Sequence, residues 1–160
     1  MRFPQHSGDQ RQRRDLTNRI NALQRELAAA TEAGDALAQA VAQNNIGDTY
    51  YELRDYEPAL EAYLAAGELV PAEATLDERV TPWANAAAAA RKLDQWADAT
   101  VYTLRIDALA NQAEDAPGLD LANQLRRFVQ RHWGPDWATA HETAKASLPA
   151  ELAAYVRAAD

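Results

Sequence analysis

The chain has 160 residues, 48% of them apolar, no cysteine and a formal charge of −8. That is the length of one domain with enough apolar side chains for a core, which sets aside disorder of the whole chain. Without cysteine there are no disulfides or thiolate metal sites, and the acidic balance argues against broad nucleic-acid or anionic-membrane binding. No stretch approaches the ~18 uninterrupted apolar residues of a membrane span. The start, Met1-Arg2-Phe3-Pro4-Gln5-His6, lacks the apolar region of a secretory leader, so a cytoplasmic setting is expected. The charge is uneven: residues 1–14 carry Arg2, Arg11, Arg13 and Arg14 against Asp9, a net of +3, leaving −11 for the remainder. They read as a flexible basic arm ahead of a single domain over 15–160.

Strand signals are nearly absent, and 37 alanines favour helix throughout. The first helix is expected over Asp15 to Ala33, because Leu16, Ile20, Leu23, Leu27 and Ala30 form one apolar stripe. Gly34 stops it and Asp35 caps the next, about Ala36 to Leu53, with Leu37, Val41, Ile46 and Tyr50 inward. Asp55 caps a third helix carrying Tyr56, Leu60, Tyr63 and Leu69, which ends before Pro71. After a connector over 71–76, the fourth begins at Asp77 or at Thr81-Pro82; the earlier start, with a bend at Pro82, is favoured. It runs through Trp83 and Ala86–Ala90 to Leu93. A fifth takes Trp96, Ala99, Tyr102, Ile106 and Leu109. A sixth follows Asp115-Ala116-Pro117-Gly118, with Leu121, Leu125, Phe128, Val129 and His132 on one face, and Gly134-Pro135 breaks it. A seventh covers about Asp136 to Ser147, and Pro149 opens a capping helix over 149–159 with Leu152, Tyr155 and Val156.

Three of these openings are alike. Asp55-Tyr56-Glu57-Pro58-Ala59, Gln95-Trp96-Ala97-Asp98-Ala99 and Asp136-Trp137-Ala138-Thr139-Ala140 each set an aromatic three residues before an alanine, 40 and then 41 residues apart. A period of that size marks a stacked repeat in which each unit buries its face on the next. Helical hairpins are therefore expected over about 36–71, 77–113 and 117–148: an all-α, α-α superhelix of about three hairpins with extra terminal helices.

The unit from Asn44 to Tyr63 resembles a tetratricopeptide repeat. Ile46-Gly47, Tyr50, Tyr56, Ala59, Tyr63, Ala66 and Pro71 stand at that family's signature spacings, with Gly47 and Ala59 small where paired helices cross. In the second unit Ala86-Ala87, Ala90, Trp96, Ala99 and Ile106 take these places, with Ala87 for glycine and Thr103 where an aromatic is usual. In the third, Leu125, Phe128, Val129, His132, Trp137 and Ala140 fit with a turn one residue shorter. The period of about 40 exceeds the usual ~34 and resembles a long-helix variety. The likeness covers about 35–147; another α-α solenoid is the alternative.

Catalysis is not expected, nor is a cofactor or metal. Histidines stand at 6, 132 and 141, without a His-x-x-x-His pair, a nucleophile elbow or a phosphate-cradling loop. His132 on an apolar stripe reads as a core or groove residue. What the resemblance implies is binding of a protein or peptide in a concave groove lined by the first helix of each pair. Asn45 and Asn85 then occupy equivalent places one period apart, with Asn44 beside the first and Arg126 and Arg127 at the same level in the third unit. Asp48, Tyr51, Arg91 and Lys92 lie further along these faces. An amide donates and accepts at once, as a peptide unit does. Arg91, Lys92, Arg126 and Arg127 would suit an extended peptide bearing acidic groups or a free carboxylate. The family's carboxylate clamp is not matched, since Asn44 and Asp48 hold the places of its Lys and Asn. Two plainer roles stand beside these: helix-to-helix hydrogen bonding for the asparagines, and solvated helix ends for the cations. A second function, self-assembly, is suggested by the apolar stripes of the first and last helices, which must be covered by the chain itself or by another copy.

Overall fold

Good helix formers carry the first helix further toward the N-terminus than its apolar stripe requires. In the computed structural model, which describes residues 6–160, α1 spans His6–Glu32. Gln10, Arg11, Gln12, Arg13 and Arg14 contain no breaker, so helix continues through them. The helix thus begins nine residues before its expected start at Asp15, inside the stretch read as an arm, whose first five residues lie outside the described ones. Leu16, Ile20 and Leu23 are buried, and Leu23 joins Ile46 and Ala62 in a cluster.

The remaining helices are α2 (Ala36–Glu52), α3 (Tyr56–Leu69), α4 (Leu76–Lys92), α5 (Trp96–Gln112), α6 (Ala116–Trp133), α7 (Trp137–Ala146) and α8 (Ala150–Ala153), with one 3₁₀ turn at Gly134–Asp136. No strand occurs among the described residues, and none of their helices is long and apolar enough to cross a membrane. Each helix from α1 to α5 packs on its successor, whereas α7 leaves α6 and packs chiefly on α5. Thr75 rather than Asp77 or Thr81 begins α4: its hydroxyl accepts from Glu78 N–H while the Glu78 carboxylate accepts from Thr75 N–H at 2.8 Å. Asp115 likewise draws Ala116-Pro117-Gly118 into α6 by accepting from Gly118 N–H at 2.7 Å. The expected capping helix over 149–159 is short. After α8 the chain makes a turn at 154–155 and runs on without regular secondary structure.

A regular device ends the helices. Gly34, Arg54, Asp94, Glu114 and Gly134 all take positive φ, between 52° and 67°. They stand 20, 40, 20 and 20 residues apart, so the turns between α1 and α7, except the one near residue 74, close at the same phase. At the first four, the amide of the following residue bonds back to a carbonyl five residues before it, as in Asp55 N–H to Tyr50 O (3.0 Å) and Gln95 N–H to Ala90 O (2.9 Å). This left-handed closure satisfies carbonyls that a helix end leaves unpaired.

Packing follows the same 20-residue register. A Cβ at Gly47 in α2 would meet the Tyr63 ring of α3 at 2.6 Å, and one at Gly67 in α3 would meet the Trp83 ring of α4 at 2.6 Å. Each crossing therefore lodges an aromatic ring against bare backbone. Ala87 and Thr103, both fully buried, stand at the next places in this register. The fourth pair of places holds Asp107 and Asn123. The aromatics that open α3 and α5 repeat too: Tyr56 lies 6.0 Å from Lys92 Nζ, and Trp96 stacks on His132 with centroids 4.1 Å apart, an offset of 36 residues in both.

Candidate functional site

Two grooves carry polar side chains. The first lies between α2 and α4, with a volume of about 220 Å³, lined by Leu37, Val41, Asn44, Asn45, Thr81 and Pro82 among others. Along this part of α2 the small residues on either side of Val41, Ala40 and Ala42, are buried. Val41, expected inward, is 50% exposed on the groove wall. In an alanine-rich helix the closest approach is made by the smallest side chains, which turns the branched residue outward.

The asparagines divide between two roles. Asn85 Nδ2 donates to Asn44 Oδ1 at 3.1 Å, tying α4 to α2 across 41 residues of sequence. That pair belongs to the scaffold. Asn45 is half-buried and lines the groove, and its backbone carbonyl accepts from the Thr49 hydroxyl at 2.9 Å. Asp48 is engaged as well: the Tyr63 hydroxyl donates to it at 2.7 Å. Burial first, then the Asp48 bond and charge, raise the Tyr63 pKa far above the ordinary tyrosine value. A phenol whose folded pKa exceeds its unfolded one adds stability below about pH 10, and that stability falls as pH climbs above it. Alkaline unfolding should accordingly show a steep stability loss above about pH 10 that Tyr63→Phe makes shallower; an identical slope in the variant would place Tyr63 in solvent.

The expected basic cluster separates into unlike environments. Lys92 is exposed near the Tyr56 ring, whose other neighbour is Tyr51, edge-on at 5.1 Å. The half-buried Arg91 guanidinium lies 4.5 Å over the Phe128 ring, with Nη1 buried and unbonded. Burial pulls its pKa down from the ordinary arginine value, opposed by Tyr51. Phe128, expected in the core, is 48% exposed and takes this cation on its face. His132, read as a core or groove residue, is exposed and stacked on Trp96, which sets aside the core alternative. Arg127 is exposed, but Arg126 is corrected outright as a surface residue: it is 6% exposed. It shares the buried stripe of α6 with Ala122, four residues before it, and Val129, three after, beside the buried Leu125.

Arg126 belongs to the second groove, which sequence reasoning missed. Between α5, α6 and α7 lies the irregular segment after α8. Asp107, fully buried, accepts Arg157 N–H on Oδ2 at 2.8 Å, and on Oδ1 accepts Arg157 Nε (2.8 Å) and Nη2 (2.6 Å) and Arg126 Nη1 (3.4 Å). Arg157 Nη2 also donates to Asn123 Oδ1 at 2.8 Å. Carbonyls along the segment accept in turn from Asn111 Nδ2 (Tyr155 O, 2.8 Å), Arg126 Nη2 (Ala158 O), Gln130 Nε2 (Ala159 O, 3.3 Å) and Trp137 Nε1 (Ala159 O, 2.6 Å). His141, 1% exposed, faces Arg157 O through Nε2 at 3.0 Å, so that nitrogen carries the proton. The signal available was Asp107 itself, a carboxylate inside the apolar run Thr103-Leu104-Arg105-Ile106-Asp107-Ala108-Leu109.

Of the terminal stripes behind the self-assembly reading, Leu16, Ile20 and Leu23 at one end and Val156 at the other are each less than 10% exposed, whereas Tyr155 is 40% exposed. Among the described residues no group of three or more His, Asp or Glu side chains is placed to hold a metal ion. Comparison with family models, with curated proteins and with solved structures gives no match.

Proposed function

We propose that this chain is a tetratricopeptide-like α-α solenoid that acts as a protein-interaction adaptor, taking an extended segment of a partner in the groove between α2 and α4. The single observation that carries it is the groove wall: half-exposed Val41 beside Leu37 and Pro82, with the Asn45 side chain set into it. Apolar anchors beside a few placed amides are what an extended peptide needs, since pockets read its side chains and amides its backbone. The 20-residue register of turns and ring-on-glycine crossings supports the solenoid part of the reading.

The test is a paired substitution. Val41→Asp with Asn45→Ala puts a charge on the wall and removes the amide, and it should abolish capture of the partner retained by the unsubstituted chain, confirmed with the purified partner. Its melting temperature should barely move, since neither side chain is buried. Undiminished capture would remove the groove from the account. Asn85→Ala behaves differently, lowering stability by about 0.5–1.5 kcal/mol through loss of its bond to Asn44.

A further inference from the structure

A buried polar lining normally serves other side chains, yet the α5–α6–α7 groove aims nearly all of its donors at one stretch of main chain. Asn111, Arg126, Gln130, Trp137 and His141 reach the carbonyls of Tyr155 to Ala159 from three different helices. Bonds to main chain fix direction and extension and are indifferent to most side chains. Selectivity rests on one residue, Arg157, whose guanidinium meets Asp107 and Asn123 in a planar fork. Around it the segment is small or light: Val156 is the one buried apolar side chain, and Ala158 and Ala159 follow.

The register of the fold says why the gap is there. Positions 47 and 63, then 67 and 83, pair glycine with an aromatic ring that fills the crossing. At 87 and 103 the places hold the fully buried Ala and Thr; at 107 and 123 they hold the polar pair Asp and Asn, and α7 lies chiefly on α5 rather than on α6. The cleft is polar and would stand open without an inserted strand of chain. The strand now in it is held by little apolar area, since full burial of one valine is worth only about 1.5–3 kcal/mol. The Arg157 side chain is still 31% exposed, so water reaches the guanidinium side of its contact with the buried Asp107.

We propose that the α5–α6–α7 cleft is a binding site for an extended partner peptide bearing an arginine followed by small residues, with Tyr155–Ala159 as the ligand it holds in cis. A tethered ligand competes at millimolar effective concentration. An outside peptide therefore meets only the fraction of molecules whose own segment has left, and its apparent affinity falls by that fraction. The site stands apart from the α2–α4 groove and does not rest on that reading.

A fluorescein-labelled peptide of residues 152–160, titrated by anisotropy into the 160-residue chain, tests the site. Arg157→Ala in the chain should tighten binding of this peptide by about tenfold or more, because the resident segment loses its anchor. A peptide with alanine in place of that arginine should not bind, and Val41→Asp with Asn45→Ala should leave the titration unchanged. Concentration-dependent dimers that Arg157→Ala abolishes would support the same site with a second copy as its occupant. No gain of peptide binding in an Arg157→Ala chain of unchanged helicity would overturn the proposal. Should that variant lose its fold, hydrogen exchange on the unsubstituted chain decides. The Arg157 amide should exchange about 100-fold or more faster than the buried amides of α5, as a locally opening segment does; equal rates would make the segment a fixed part of the core and sink the idea.

Discussion

Urea unfolding of Asp107→Ala is expected to show a loss of about 3–5 kcal/mol, the range found when one partner of a buried ion pair is removed. Asp107 is fully buried and both of its oxygens are used, three times by side-chain nitrogens and once by the Arg157 amide. The two arginines do not suffer equally. Arg157, 31% exposed, can turn its guanidinium to water. The Arg126 side chain, 8% exposed beneath the segment, cannot, and it is left as an uncompensated charge. Against a total stability of about 5–15 kcal/mol for a domain, the variant should be marginal at ordinary temperatures. Asp107→Asn keeps an acceptor of the same shape and should cost less, about 1.5–3 kcal/mol for the charged component of the bonds. Adding Arg126→Met to Asp107→Ala should recover part of the loss, since the stranded charge is then gone. A loss under about 1 kcal/mol in Asp107→Ala would mean that the cluster is solvated.

Trp83→Ala should be as damaging, for an unrelated reason. Its ring is 5% exposed and sits among Val80, Ile106, Leu109, Ala122 and Leu125, with Tyr102 6.0 Å away and the Arg105 guanidinium 4.2 Å above it. The ring thus joins α3, α4, α5 and α6 at one point. Truncation removes its transfer energy and leaves a cavity that Gly67, having no side chain, cannot fill, for a cost of about 3–5 kcal/mol. Trp133→Ala should cost less, because that ring is only half-buried and its Nε1 hydrogen bond to the Thr100 hydroxyl, 2.9 Å, is a neutral one. Equal losses at the two tryptophans would deny Trp83 its central place.

Helix identity and order were readable because Pro, Gly and Asp punctuate the chain and the aromatic openings recur. Orientation within helices was harder. Periodicity arguments rank residues by size and hydrophobicity, whereas in these alanine-rich helices the tightest contacts belong to Ala40, Ala42, Ala86, Ala87, Ala89 and Ala90. Val41 and Phe128 consequently face outward where a stripe argument turns them in. Three of the five left-handed turn residues, Arg54, Asp94 and Glu114, are not glycine, so the 20-residue phase was invisible to a search for glycines. Of the candidate binding residues, Asn45, Lys92 and Arg127 keep accessible side chains, while Asn44, Asn85 and Asp48 bond within the scaffold. The second groove could not be read because its members lie up to 50 residues apart in sequence, at Asp107 and Arg157, and nothing local links them.

The most direct test of the account is a double-mutant cycle at one crossing, because its central claim is that ring and bare backbone meet in a fixed register. Gly67→Ala places a methyl 2.6 Å from the Trp83 ring. In the unsubstituted chain it should destabilise, overpacking of about 1–3 kcal/mol outweighing the helix-propensity gain of about 1 kcal/mol. In the Trp83→Ala chain the obstacle is gone, and the same substitution should stabilise by about 1 kcal/mol. A change of sign is the predicted result; the same effect in both backgrounds would show that residue 67 does not meet that ring, and the register would fall with it.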